Sequence, residues 1–303
     1  MHIATADIGT NTVLLLIAEL AGSQITPIYQ EQRIARLGQG VDAARKLHPD
    51  AITRVADAIR DYADITRHYG IDRLYATATS AARDASNKDD FVRAVGSIAG
   101  VQLDILSGED EALWAFRGAL SNRPDITNAT VLDIGGGSTE LVVGQADRIL
   151  FRQSLDVGSV RYTERFFPSL PPTEQQVIAF REQLDQAINS YDLETLPNAP
   201  FVGTAGTITS LAAVDQALID YDPTQIDGTT IAYERVVYWA DRLLTMPVAH
   251  ILRLAPGVLQ GRADVFPAGV CILEAVMRRF CINELVVSDR GLRFGWALAV
   301  STR

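Results

Sequence analysis

The apolar positions set out nearly the same order of elements in each half of the chain. Two apolar runs flank Asp7-Ile8-Gly9-Thr10-Asn11-Thr12, and two more flank Asp133-Ile134-Gly135-Gly136-Gly137-Ser138-Thr139-Glu140. Each copy reads as a strand, a small-residue turn and a returning strand, with a carboxylate at the end of the first strand. The first hairpin, residues 2–20, leads into a third strand near 24–32 and an amphipathic helix from Pro49 to about Tyr69, with Gly70 placed to stop it. A strand over 73–79, a helix over 89–99, a strand over 101–106 and a helix over 109–120 follow. The polar stretch 121–128, containing Pro124, reads as a boundary. The second half restarts with strands over 129–134, 141–144 and 149–155 and helices over 159–167 and 173–191. A strand over 201–204 runs through a glycine turn into a helix to about 217. Helices over 233–246 and 263–280, a strand over 284–288 and a helix over 292–300 come last. The pattern predicts an α/β protein of two domains related by a distant duplication, with its active site in the cleft between them.

A length of 303 residues suits two domains better than one core. The net charge of −10 argues against nucleic acid as a partner and requires a local basic patch for any anionic substrate. Lys46 and Lys88 are the only lysines, so that patch would be built from arginine, which binds phosphate through two parallel hydrogen bonds. The longest apolar run near the start, 13–18, is far too short to span a membrane and follows no basic segment. No signal peptide and no membrane contact are expected, and the expected location is the cytoplasm. Cys271 and Cys281 are read as reduced core thiols.

Candidate chemistry gathers at the turns. Glycines and small hydroxyl residues let a backbone approach phosphate oxygens and aim several N–H groups at them. Asp7 and Asp133 would repel phosphate, so a cation between them is expected, for which phosphate chemistry usually uses Mg²⁺. A tight hairpin needing positive φ angles would ask for one glycine; Gly135, Gly136 and Gly137 beside two carboxylates exceed that need. The first turn alone could be plain, and gains weight from its likeness to the second. Gly203-Thr204-Ala205-Gly206-Thr207 joins a strand to a helix and could offer unpaired N–H groups to an anion, although such turns are common. Ser107-Gly108-Glu109-Asp110-Glu111 starts a helix with Ser107 as its cap. Acidic residues steady any helix start, yet three exceed that purpose, and one could deprotonate a water. Arg83 is either an ion-pair partner of Asp84 or a phosphate clamp. The four histidines are scattered, and no Walker loop, Gly-x-Ser-x-Gly elbow, zinc pattern or kinase signature is present.

These segments resemble the Ppx/GppA family of exopolyphosphatases and guanosine pentaphosphate phosphatases, within the superfamily of actin, hexokinase and Hsp70. The resemblance also covers Arg36-Leu37-Gly38-Gln39-Gly40, Thr79-Ser80-Ala81-Ala82-Arg83-Asp84, Val157-Gly158-Ser159-Val160-Arg161 and Arg262-Ala263-Asp264, in that family's order. It implies two duplicated ribonuclease H-like domains, over 1–124 and 125–290, with a helix over 291–303 completing the first. It also implies Glu111 as catalytic base, and Asp133 and Glu140, joined by Asp7, as the carboxylates that organise Mg²⁺ or Mn²⁺. Thr10, Asn11 and Thr12 would form the first phosphate loop, and Gly135, Gly136, Gly137 and Ser138 the second. The turn with Gly203, Thr204, Gly206 and Thr207 would contact phosphate too, and Arg83 would approach the terminal phosphate. The expected activity is removal of the terminal phosphate of inorganic polyphosphate, of short chains in particular, with guanosine pentaphosphate as the alternative substrate. A small-molecule kinase and a non-catalytic nucleotide or polyphosphate sensor are the other readings. The likeness is to short members without helical HD-like domains, and a homodimer is a family expectation. Phe294 stands where many members carry glutamate.

Overall fold

Alternation along the first strands decides what each face of the first sheet can hold. In β1 (His2–Ile8), Ala4, Ala6 and Ile8 join one apolar cluster, whereas Ile3 joins a second cluster on the other face. Asp7 has the parity of Ile3 and Thr5, so its carboxylate points to that second face. The computed structural model describes residues 1–145 and 148–301. It forms two units, Met1–Pro124 with the chain from Arg290 onward, and Asp125–Asp289.

In the first unit β1 pairs antiparallel with β2 (Thr12–Ala21), which pairs with β3 (Gln24–Ile34). On its other side β1 runs parallel to β4 (Leu74–Ala78), and β4 parallel to β5 (Val101–Ile105), giving the order β3-β2-β1-β4-β5. The helix Pro49–His68 covers the face of Ala4, Ala6 and Ile8, through Ala51, Val55, Ile59 and Tyr62. The opposite face packs on the helix Leu292–Ser301 through Phe294, Trp296, Ala297 and Val300. The helix expected over 291–303 thus runs from Leu292 to Ser301, and its last two expected positions lie outside the described residues.

The second unit repeats this sheet. β6 (Asn128–Ile134), β7 (Thr139–Gln145) and β8 (Arg148–Leu155) form the antiparallel set. β9 (Phe201–Thr204) and β11 (Glu284–Val287) add in parallel, and β10 (Thr230–Ala232) closes the edge antiparallel to β11. The order is β10-β11-β9-β6-β7-β8. Asp7 pairs with Leu14 and Asp133 with Glu140, so both partners are displaced by the same 126 positions. The irregularities at Ile17/Ala18 and Val143/Gly144 keep that displacement. The duplicated ribonuclease H-like architecture is present down to its bulges. β10 escaped the sequence pattern because three residues are too few to show a period.

Two cysteines were expected in the core; Cys271 is there, whereas Cys281 is exposed. Cys281 follows the helix Phe266–Arg279 with φ 54°, and the Ile282 N–H closes onto Met277 O at 2.9 Å. That left-handed terminus turns the side chain outward. Among the described residues no helix is long and apolar enough to cross a membrane.

The helix Gly108–Ala119 meets Leu292–Ser301 backbone to backbone. A Cβ on Gly295 would stand 1.8 Å from Trp114 O, and one on Gly118 would stand 2.0 Å from Gly291 O. Trp114 and Trp296 meet edge to face beside this contact, with centroids 6.3 Å apart. Gly295→Ala is expected to destabilise the first unit by at least about 1–3 kcal/mol, because backbone cannot yield as a side chain can. Urea unfolding followed by tryptophan fluorescence measures it, and an unchanged midpoint would contradict the tight crossing.

Candidate active site

Ser107 caps the helix Gly108–Ala119, its Oγ accepting the Asp110 N–H at 3.1 Å. Glu109 and Asp110 stay exposed in the first turn, where they favour the helix dipole. Glu111, one residue further, is buried. Its Oε2 accepts from Arg83 Nη1 at 2.9 Å, and the Thr79 hydroxyl is a second partner. Arg83 also donates to Leu106 O at 3.1 Å, while its Nε stands 3.9 Å from Asp84. The arginine therefore holds Glu111 more closely than Asp84. Burial raises the Glu111 pKa above the usual carboxylate value, and Arg83 works in the opposite direction.

Asp7 reaches the same face by strand parity. Its Oδ1 is enclosed and has no hydrogen-bond partner. Burial, reinforced by the charge of Glu111 and opposed by Arg293, pushes its pKa up to about 7. An enclosed anionic oxygen lacking a donor is chemically suited to a cation. Among the described residues no group of three or more His, Cys, Asp or Glu side chains forms a metal cage. A magnesium ion that takes one or two carboxylates and fills its remaining positions with water and phosphate oxygens needs none.

In the second unit Asp133 and Glu140 are directly opposed across the hairpin and project from one face. Glu140 is buried, and its Oε1 accepts from Ser154 Oγ at 2.7 Å. Gly135, Gly136 and Gly137 all lack positive φ, so turn handedness does not explain them. The demand for a missing side chain falls on Gly158, where a Cβ would lie 2.4 Å from Gly136 O and 2.5 Å from Gly137 C. Backbone N–H groups of Val160 and Arg161 donate to Gly136 O at 2.8 and 3.1 Å, and Arg161 Nε donates to Gly137 O at 2.7 Å. Ser138 is buried in this turn. The first turn is braced in parallel fashion. Ala35 and Arg36 donate to Asn11 O, Gly38 donates to Thr10 O, and a Cβ on Gly38 would meet Thr10 Cγ2 at 2.2 Å. Thr10 is buried, whereas Asn11 and Thr12 are partly exposed.

Thr204 ends β9 and Ala205 opens the helix Ala205–Asp215 at φ 72°, a strained angle for alanine. Gly206 leaves room for the guanidinium of Arg262, whose Nη1 would stand 2.9 Å from a Cβ there. Arg262 is buried, and its Nη1 donates to Ser210 Oγ at 3.2 Å. Thr207 is buried beside Gly269. Arg262, Gly158 and Gly38 were each visible as motif letters, but spacing alone gave them no task. Phe294, in place of the common glutamate, is fully buried, with Arg290 and Arg293 over its ring.

The family model described as Ppx/GppA phosphatase family matches residues 16–301. The chain belongs to that family. Exopolyphosphatase 2 of Mycobacterium tuberculosis is 36% identical over 318 aligned positions, covering 99% of this chain and 98% of the relative. A crystal structure of an exopolyphosphatase-like protein superposes with a TM-score of 0.92 at 32% identity, covering 100% of this chain and 99% of that one. The Aquifex aeolicus family member superposes at 0.83 with 31% identity, covering 100% and 98%.

The Asp7 carboxyl binds its proton more tightly in the folded family member than in the unfolded chain, so metal-free stability should fall as pH rises from about 3.8 to about 7. Asp7→Asn removes that fall. In metal-free buffer its melting temperature should exceed that of wild type at pH 8 and approach it at pH 4. Equal differences at both pH values would refute the enclosed Asp7.

Proposed function

We propose that the protein is an exopolyphosphatase that hydrolyses the terminal phosphoanhydride of inorganic polyphosphate, short chains in particular, and releases orthophosphate. The observation that carries this reading is Glu111, the one inward-facing carboxylate of an acidic helix start, braced by Arg83 and Thr79 near Asp7. The full-length similarity to a relative named exopolyphosphatase supports the choice of substrate.

In this mechanism the attacking water gives its proton to Glu111 as its oxygen bonds to the terminal phosphorus. The bridging P–O bond breaks, and the shortened chain leaves with the electron pair. Arg83 orients the Glu111 carboxylate and adds positive charge where the equatorial oxygens carry negative charge. Backbone N–H groups of the turns at Thr10–Thr12 and Gly135–Ser138 hold the phosphate chain, as does the helix start at Gly206–Thr207. Asp7, Asp133 and Glu140 would hold Mg²⁺ or Mn²⁺, which when bound supplies charge neutralisation to the phosphoryl group.

Glu111→Ala should lower turnover by roughly 10²–10⁴-fold with the fold intact. The acid limb of the wild-type rate profile should lie above the ordinary carboxylate range, in line with the raised Glu111 pKa. Assays in parallel on short polyphosphate, long polyphosphate and guanosine pentaphosphate decide the substrate. Near-normal turnover in the variant removes Glu111 as base, and release from the nucleotide alone replaces polyphosphate as substrate.

A further inference from the structure

Each hairpin closes on a pair whose returning residue is held from the side by a tyrosine. Ile8 pairs with Val13 and Ile134 with Thr139, directly after the turns. The Tyr62 hydroxyl donates to Val13 O at 3.2 Å, and the Tyr191 hydroxyl donates to Thr139 O at 3.3 Å. Both side chains are buried. A hydroxyl in an apolar core is costly unless bonded, and phenylalanine would fill the same space without that demand.

The match is not a relic of duplication. The hairpins repeat at a displacement of 126 positions, which would carry Tyr62 onto Ile188. Tyr62 lies within the helix Pro49–His68, whereas Tyr191 lies beyond the end of the helix Glu174–Ile188. Two different places in the chain thus deliver one hydroxyl to one equivalent carbonyl. Burial raises both phenol pKa values, helped in Tyr191 by the charge of Glu140, so each hydroxyl keeps its proton to donate.

We propose that Tyr62 and Tyr191 are positioning residues that set the twist of the closing pair, and so aim the turn N–H groups at substrate phosphate. The Gly9 N–H bonds Thr12 O at 2.9 Å and the Gly135 N–H bonds Ser138 O at 3.0 Å, each one peptide ahead of the pinned residue. Thr139 is held a second time, its Oγ1 donating to Val157 O at 2.6 Å. This assignment rests on the hairpins binding phosphate.

The test uses the full chain with Tyr62→Phe and Tyr191→Phe, singly and together. Wild-type binding of tripolyphosphate with Mg²⁺, by calorimetry, first checks the parent reading. Each variant should then raise KM about three- to tenfold, the worth of one hydrogen bond, with a smaller change in kcat. Amide exchange should quicken at residues 9–14 in one variant and 135–140 in the other, while the melting transition stays cooperative. Folded variants with wild-type KM and wild-type exchange at the turns overturn the proposal. Exchange that quickens throughout a unit also overturns it, by reducing the tyrosine to a core support. Should wild type bind no tripolyphosphate, the phosphate reading fails by itself, and unchanged exchange at the turns would then sink the pinning role as well.

Discussion

Two carboxylates of the first unit, the buried Glu111 and Asp7 with one oxygen enclosed, lie close enough for the charge of Glu111 to oppose ionisation of Asp7. Withdrawing either from water is costly, and the charge of Glu111 makes Asp7 harder still to ionise. Arg83 offsets part of that cost at Glu111, and Arg293 does so at Asp7. The remaining deficit is the enclosed Asp7 oxygen without a donor. A fold selected only for stability would put an apolar residue at that position, as the second strand does with Leu14 directly opposite. Local cost of this kind is a common mark of a site kept for chemistry.

The second unit handles the same problem differently. Its hairpin has Glu140 where the first has Leu14, so Asp133 gains a carboxylate neighbour across the strands. The duplicated scaffold fixes the two aspartates at equivalent places, while the substituents around them diverge. Glycines serve both units by absence of bulk. Gly38 admits Thr10 to one turn, and Gly158 lets the segment after β8 lie against Gly136 and Gly137.

Much of this was legible in the sequence. The apolar run before Asp7 announces the strand β1, whereas the face on which Asp7 lies follows from strand alternation once the clusters on the two sides of the sheet are known. The three acidic residues after Ser107 announced a helix start, but the helix angle that turns Glu111 inward and its neighbours outward depends on packing against Leu292–Ser301. The triple glycine reads as a phosphate turn in the sequence, but its close contact with Gly158, some twenty residues further on, lies outside any local rule. Cys281 was misplaced because an αL helix terminus redirects a side chain that composition alone would bury.

The first unit is discontinuous in sequence, since it needs the helix Leu292–Ser301 to cover one face of its sheet. The intervening unit is continuous from Asp125 to Asp289 and is made earlier than that helix during translation. The face of β1 that carries Asp7 therefore stays uncovered on the ribosome until the neighbouring unit has been synthesised. Order of synthesis thus delays the enclosure of Asp7 until every residue of the intervening unit has been made.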